Sequence, residues 1–384
     1  MMQIYFDNAA TTQPYPEVRE TVMQMMDADY GNPSSMHMKG VEAERFVRGA
    51  TETLAGLLRV KPKEIYYTSG GTESNNWALF GTADRQKRKG KHIIISAVEH
   101  AAVSAPAKVL EKQGYEVTRL RTDAAGRVDP EELRAAIRPD TILVSVMFVN
   151  NEIGTIEPVA ELGKVVHACN PDTMFHVDAV QAFGKLPIYP KQLGIDMMSV
   201  SAHKIHGPKG AGFLYVGEKA RINPLIYGGG QQNDMRSGTD NVPGIAGLAR
   251  AAQEIYSRMD ANREQLTALK KRLHDGLLEL EDVVIHADIP ESVPHILNAS
   301  FVGIRSEVLL HTLEDAGIYV SAGSACSSHK RAGSATLTAI GCSKEEKESA
   351  IRFSFSAMNT IEEVDCTLDV LQKAVPQLRR FRRR

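Results

Sequence analysis

The sequence predicts a doubly wound α/β domain followed by a smaller α+β domain, and two observations predict it. From about residue 60 to 220, short apolar runs rich in β-branched residues alternate with longer amphipathic stretches. Several runs are nearly continuous in apolar residues, as in parallel strands buried on both faces. After Pro243 the texture changes to a long helical periodicity and then to mixed strand and helix patterns.

The runs are Ile65-Tyr-Tyr67, His92-Ile-Ile-Ile95, Tyr115-Glu-Val-Thr118, Thr141-Ile-Leu-Val-Ser-Val-Met147, Met174-Phe-His-Val177, Asp196-Met-Met-Ser-Val200 and Gly212-Phe-Leu-Tyr-Val216. Between them lie helical segments such as Asp129-Pro-Glu-Glu-Leu-Arg-Ala-Ala-Ile137, which opens with a cap and a proline in the first turn. Residues 244–283 read as one long helix leading out of the first domain, kinked at most. The rest mixes Ile296-Leu-Asn-Ala-Ser-Phe-Val302, the segment from Val308 to Leu313, and Ile351-Arg-Phe-Ser-Phe355. The sequence contains no internal repeat.

Composition excludes several classes. The 384 residues are 43% hydrophobic and 24% charged with a net charge of −2, an ordinary soluble balance that calls for neither nucleic acid nor a membrane surface. No stretch approaches the ~20 uninterrupted apolar residues of a membrane span, and Met1-Met-Gln-Ile-Tyr-Phe-Asp7 is unlike a signal peptide. A cytoplasmic protein is expected. Cys169, Cys326, Cys342 and Cys366 are far apart in no metal-ligand spacing, so they are expected as thiols and no metal site is expected. The ending Leu378-Arg-Arg-Phe-Arg-Arg-Arg384 reads as a solvated tail or as a docking patch for an acidic partner.

In parallel α/β sheets ligands bind beyond the carboxyl ends of the strands. Thr68-Ser-Gly-Gly-Thr-Glu-Ser-Asn75 places two glycines between strand and helix, where exposed amides and the Thr72 hydroxyl can cradle a phosphate. Taken alone it is a weak signal, since glycine turns between strand and helix are common and usually only structural. Val98-Glu-His100 ends the second run, where a histidine is more often a satisfied polar residue than a catalyst. Asn150-Asn-Glu-Ile-Gly154 offers two adjacent amides. His176-Val-Asp-Ala-Val-Gln181 puts a carboxylate at a buried strand end, which requires a cation or full hydrogen bonding. Ser201-Ala-His-Lys-Ile-His-Gly-Pro-Lys-Gly210 puts a lysine where it can form a Schiff base with an aldehyde. A phosphate cradle, a carboxylate and a lysine at strand ends of one domain are what pyridoxal 5'-phosphate (PLP) requires.

These segments resemble the NifS/IscS-type cysteine desulfurases of the class-V aminotransferase-like PLP enzymes. The resemblance runs from Tyr5-Phe-Asp-Asn-Ala-Ala-Thr-Thr12 and Gly31-Asn-Pro-Ser-Ser-Met-His37 to Arg236-Ser-Gly-Thr239, Ser321-Ala-Gly-Ser-Ala-Cys326 and Ile351-Arg-Phe-Ser354. It implies PLP fold type I, with a mostly parallel seven-stranded sheet flanked by helices in a large domain of residues 14–255. Residues 1–13 and 256–384 would form the smaller α+β domain.

The resemblance also implies roles. Lys204 would carry the cofactor, His100 would stack on its ring and move protons, and Asp178 would face the ring nitrogen. Gln181 and Asn151 would contact the ring oxygen side. Gly71, Thr72, Ser201 and His203 would hold the phosphate, and Thr239 would reach the phosphate in the other subunit of a homodimer. Arg352 would grip the substrate carboxylate, with Asn32 also at the substrate, and Cys326 would receive the sulfur. The stretch between Cys326 and Leu337 is similar to the extended loop of the IscS-like group, which hands sulfur to acceptor proteins such as an iron–sulfur scaffold or a thiolation enzyme. Cys169, Cys342 and Cys366 match no functional position. After Ile-Arg-Phe-Ser the chain has Phe355-Ser-Ala-Met358, where the family usually shows glycine and a basic residue. The implied reaction converts L-cysteine to L-alanine with transfer of sulfur to Cys326. The alternatives are a selenocysteine lyase, a transaminase or a non-catalytic sulfur-carrier scaffold.

Overall fold

The computed structural model describes residues 3–322 and 333–382. Strand β1 (Ile4–Tyr5) precedes the large sheet, which is built from β2 (Ile65–Thr68), β3 (His92–Ser96), β4 (Glu116–Leu120), β5 (Thr141–Met147), β6 (Met174–Asp178), β7 (Met197–Ser201) and β8 (Gly212–Val216). Their order is β2-β8-β7-β6-β5-β3-β4. All seven apolar runs of the sequence are therefore strands of one sheet. The last of them departs from the expected direction: β8 runs antiparallel to both β2 and β7. Only a short connection separates β7 from β8, too short for the crossover that a parallel pair needs.

The strands are buried on both faces because helices cover both. Leu54, Leu58, Val166, Phe183 and Ile245 belong to the core on one side; Trp77, Leu79, Val103 and Leu110 belong to the core on the other. Asp129 caps the helix Pro130–Ala136 through a bond from the Glu131 amide, as its sequence implied. A buried histidine braces the sheet centre. His176 on β6 bonds Ser145 of β5 at 2.8 Å and Ser199 of β7 at 2.9 Å, and burial pushes it down to about 3, so it is a neutral strut.

The single long helix expected over residues 244–283 is two helices, Val242–Ser257 and Met259–Leu278, broken at Arg258. Ile245, Leu248 and Ile255 of the first pack into the large-sheet core. Leu266, Leu269, Leu273 and Leu277 of the second pack into a different core. One straight amphipathic face cannot serve both. The break is assisted by Ser257, whose hydroxyl turns back to the Glu254 carbonyl.

The second core belongs to β9 (Val283–His286), β10 (Ile296–Phe301), β11 (Ile318–Tyr319), β12 (Ser321–Ala322) and β13 (Ala350–Ser354). Four of these form the sheet β12-β13-β10-β9, and β11 pairs in parallel with β1. The chain start is thus built into the later part of the molecule, through β1 and through the Asp7–Ser354 bridge on β13.

The large sheet positions its strand-end turns by close backbone approach. A Cβ on Gly212 of β8 would lie 2.4 Å from the Val200 carbonyl oxygen and 2.6 Å from Gly70 Cα. Gly212→Ala is therefore expected to lower the unfolding free energy by about 1–3 kcal/mol in a urea titration.

Candidate functional site

Residues 9 and 10, the turn at 71–75, the ends of β5, β6 and β7, and β13 converge on one cavity of about 290 Å³. Of the residues singled out from the sequence, Gly71, Thr72, His100, Asn151, Asp178, Gln181, Ser201, His203, Lys204 and Arg352 all line it. Asn32 and Thr239 do not: both are exposed, on loops of this chain outside the cavity. Cys326 lies outside the described residues.

The β2 strand turns into the helix Gly71–Gln86 through Gly70, whose φ of 140° is open to glycine and costly for other residues. No side chain caps this helix, so its first amides point into the turn. Cβ atoms here would fill the space: one on Gly71 would lie 2.6 Å from Val180 Cγ2, and one on Gly70 would lie 3.3 Å from Ser201 Oγ. Ser201 ends β7, and the short 3-10 turn Ala202–Lys204 follows it. His203 Nδ1 meets Thr11 Oγ1 at 3.2 Å, and Lys204 Nζ donates to the carbonyls of Ala9 and Ala10, each at 2.7 Å.

Asp178 ends β6 and is 5% exposed. Its Oδ2 accepts from Asn75 Nδ2 at 2.7 Å and its Oδ1 from the Val180 amide at 3.0 Å; among the described residues no cation pairs with it. Gln181 donates to the Ala9 carbonyl at 2.9 Å, and its buried Oε1 has no partner among the described residues. His100 caps the helix Ala101–Lys112, its Nδ1 accepting from the Ala102 amide at 3.1 Å. That bond requires an unprotonated Nδ1 and leaves the imidazole proton on Nε2. Arg352 of β13 donates from Nη2 to Asp7 Oδ1 and from Nη1 to the Asn151 carbonyl, each at 2.8 Å.

A profile of the class-V aminotransferase family matches residues 4–366. A relative named cysteine desulfurase IscS, from Methanosarcina thermophila, is 44% identical over 98% of this chain and 93% of its own length. The chain belongs to this family, in its NifS/IscS-like cysteine desulfurase branch. A solved NifS-like protein superposes with a TM-score of 0.93 at 39% identity, covering 98% of this chain and all of the other. A structure described as SspA in complex with cysteine superposes at 0.82 with 32% identity, covering 93% of this chain and 99% of that one.

The desulfurase family is PLP-dependent, and the cavity fits that group. The cradle at Gly70 and Gly71 is one that any Cβ would fill. A buried carboxylate without a cation is costly unless something positive faces it, as a protonated ring nitrogen does. The unpartnered Gln181 Oε1 is a further polar atom available to a ring substituent.

The segment that carries Cys326 in a desulfurase is bounded by elements at the same cavity. Before it, Ser321 on β12 pairs directly with Arg352 on β13. After it, Ser334 Oγ donates to Glu152 Oε2 at 2.5 Å, and Asn150 Nδ2 reaches Thr336 Oγ1 at 3.3 Å. Cys169, Cys342 and Cys366 do not line the cavity. Cys342 is 3.5 Å from His286, and burial pushes its thiol up to about 11, away from the reactive thiolate.

Electrostatics around the cavity are governed by burial. Desolvation, with Lys204 and Lys209 nearby, lowers His203 to about 4, so it stays neutral. Several functional candidates went unnoticed in the sequence: Asn75, which orients Asp178; Asp7, which pairs with Arg352; and the carbonyls of Ala9 and Ala10. Asn75 had a usable signal, since it sits one helical turn beyond Gly71 and Thr72. The others act through a chain segment far away in sequence, and no spacing announces them.

Glu99, next to His100, is also part of this base. Its Oε1 accepts from Ser96 Oγ and the Met147 amide, and burial pushes it from 4.5 up to about 8. Between those values the folded chain holds a proton that the unfolded chain has released. The neutral carboxyl therefore favours folding at low pH, and that advantage is lost as pH rises through about 8. Glu99→Gln is expected to lose less stability than the parent when urea titrations at pH ~5 and pH ~8 are compared.

Proposed function

We propose that the chain is a PLP-dependent cysteine desulfurase that converts L-cysteine to L-alanine and carries the sulfur on Cys326 as a persulfide for acceptor proteins. One observation carries this reading. Asp178 at the end of β6, Lys204 after β7 and Arg352 from the distant β13 line a single cavity. Lysine for an aldehyde, carboxylate for a ring nitrogen and guanidinium for a substrate carboxylate are the groups this reaction needs.

When bound, PLP supplies an aldehyde that condenses with amines and a ring that withdraws electrons from the substrate Cα. The roles proposed for the chain are those its family resemblance implies, and the shared cavity supports them. Helix amides at Gly71 and Thr72, with Ser201 and neutral His203, hold the phosphate. Asp178, steadied by Asn75, faces the ring nitrogen and favours its protonated form. Gln181 and Asn151 contact the ring oxygen side. Arg352 offers its remaining N–H groups to the substrate carboxylate.

With PLP bound, Lys204 would be the residue placed to take the Cα proton. Its amino group already lies between the Ala9 and Ala10 carbonyls, which hold it at the cavity. His100, with its proton on Nε2, moves protons at the mouth of the cavity. Cys326 supplies the thiolate that forms the new sulfur–sulfur bond. The carbon–sulfur bond of the substrate breaks with its electron pair on carbon, which takes a proton and leaves as alanine. The boundaries of the Cys326 segment at Ser321 and Ser334 support this assignment.

We further propose a homodimer in which Asn32 and Thr239 serve the partner's site. In support, Tyr30, Met36 and Met38, close to Asn32 in the chain, are exposed large apolar side chains, as is Tyr227 on the segment before Thr239. Large apolar side chains left exposed favour an association surface. Arg236 ties the Thr239 loop to the phosphate turn through a two-pronged pair with Glu73 at 2.9 and 3.2 Å. A cytoplasmic location accompanies this reading; no helix of the described residues is long and apolar enough to cross a membrane.

The purified protein is expected to absorb near ~400 nm, to lose that band in Lys204→Ala, and to release alanine and sulfide from L-cysteine. Cys326→Ser should keep the band and its change on adding cysteine while losing sulfide release. Full sulfide release by Cys326→Ser would remove the persulfide assignment. Sedimentation is expected to show twice the chain mass, reduced to one chain mass by the double substitution Tyr30→Lys and Met36→Lys.

A further inference from the structure

Arg352 does not face the cavity as a bare cation. Its side chain is 6% exposed and is paired with Asp7, itself 22% exposed, at 2.8 Å. A second prong reaches the Asn151 carbonyl, and the buried Nε has no partner among the described residues. A guanidinium has five N–H groups, so besides the buried one on Nε these two bonds leave one on each terminal nitrogen for a ligand.

The position of Asp7 is set by its main chain. It bridges to Ser354, two residues beyond Arg352 on β13. The Asp7 carbonyl accepts from the amides of Ala10 and Thr11, and the next amide, of Asn8, donates to Ser354. None of these bonds depends on the charge of the side chain. The carboxylate is therefore carried to the guanidinium by a backbone that would stay in place without it.

A substrate carboxylate arriving at Arg352 meets a cation that already has one anion beside it. Two carboxylates on opposite prongs of one guanidinium lie about 6 Å apart. Their repulsion, at an effective dielectric between about 40 and 80, weakens binding roughly threefold to tenfold. The same repulsion acts on a product that keeps the carboxylate, so it also speeds product departure.

We propose that Asp7 is a positioning residue that aims the Arg352 guanidinium and, by neutralising part of its charge, sets how loosely the site holds the carboxylates of substrate and product. The inference rests on the reading of Arg352 as the partner of the substrate carboxylate. It assigns a specificity role to a residue of the N-terminal segment, remote in sequence from the cofactor turns.

The test is Asp7→Asn, which keeps the shape, one acceptor oxygen and every main-chain bond while removing the charge. The KM for L-cysteine and the inhibition constant of L-alanine are both expected to fall about threefold to tenfold. Asp7→Glu should restore both toward the parent values. Binding of cysteamine, which lacks the carboxylate, should not change in Asp7→Asn. A merely structural Asp7 would loosen Arg352 and raise KM, so a higher KM or an unchanged alanine constant overturns the inference. Should Asp7→Asn fail to fold, Asp7→Ser is read by the same alanine constant with the same sign. Arg352→Gln separates the two levels. If it leaves KM for cysteine unchanged, the reading of Arg352 fails; if it raises KM strongly while Asp7→Asn has no effect, only the Asp7 proposal fails.

Discussion

The N-terminal segment at residues 7–12 is the constraint on which the site depends. It lies on β13 through the Asp7–Ser354 bridge, and it also serves the large sheet. The Ala9 carbonyl accepts from both Lys204 and Gln181, the Ala10 carbonyl accepts from Lys204, and the Thr12 hydroxyl donates to the His203 carbonyl and accepts from the His206 amide. Two sheets with separate cores could slide against one another. This segment prevents that at the point where their functional residues meet. Its backbone has nowhere else to place its polar groups, since a buried carbonyl without a donor is costly.

The large sheet contributes rigidity of a different kind. His176, neutral and buried, cross-links three adjacent strands just before Asp178. Gly212 and Gly70 approach so closely that the β2 turn is held against β8. The cofactor groups are thus attached to strand ends that cannot easily shift. Arg352, by contrast, comes from the other sheet and is aimed by Asp7 and Asn151. On the proposed reading, the arrangement separates holding the cofactor from gripping the substrate, and Asp7 would tune substrate retention without touching Lys204 or Asp178.

Much of this was legible in the sequence for physical reasons. Apolar runs of strand length announce buried strands because a fully buried strand has no polar face to show. The residues after those runs line the cavity because strand ends in such a sheet point toward a common edge. Ten of the anticipated residues meet there. The break at Arg258 and the reversal of β8 were not legible. Both follow from which core a segment joins or how little chain connects two strands, and local periodicity carries neither.

The sequence by itself determined the strand set, the glycine turn, the lysine, the buried carboxylate and the family to which they belong. These depend on local composition and short spacing, which survive without knowledge of the whole chain. Only the tertiary structure decided that Asp7 pairs with Arg352, that Asn75 steadies Asp178, and that Ala9 and Ala10 hold the Lys204 amino group. Each of these joins positions far apart along the chain or uses a main-chain carbonyl that every residue possesses. Such contacts leave no mark in residue type, because their specificity comes from where folding places the backbone.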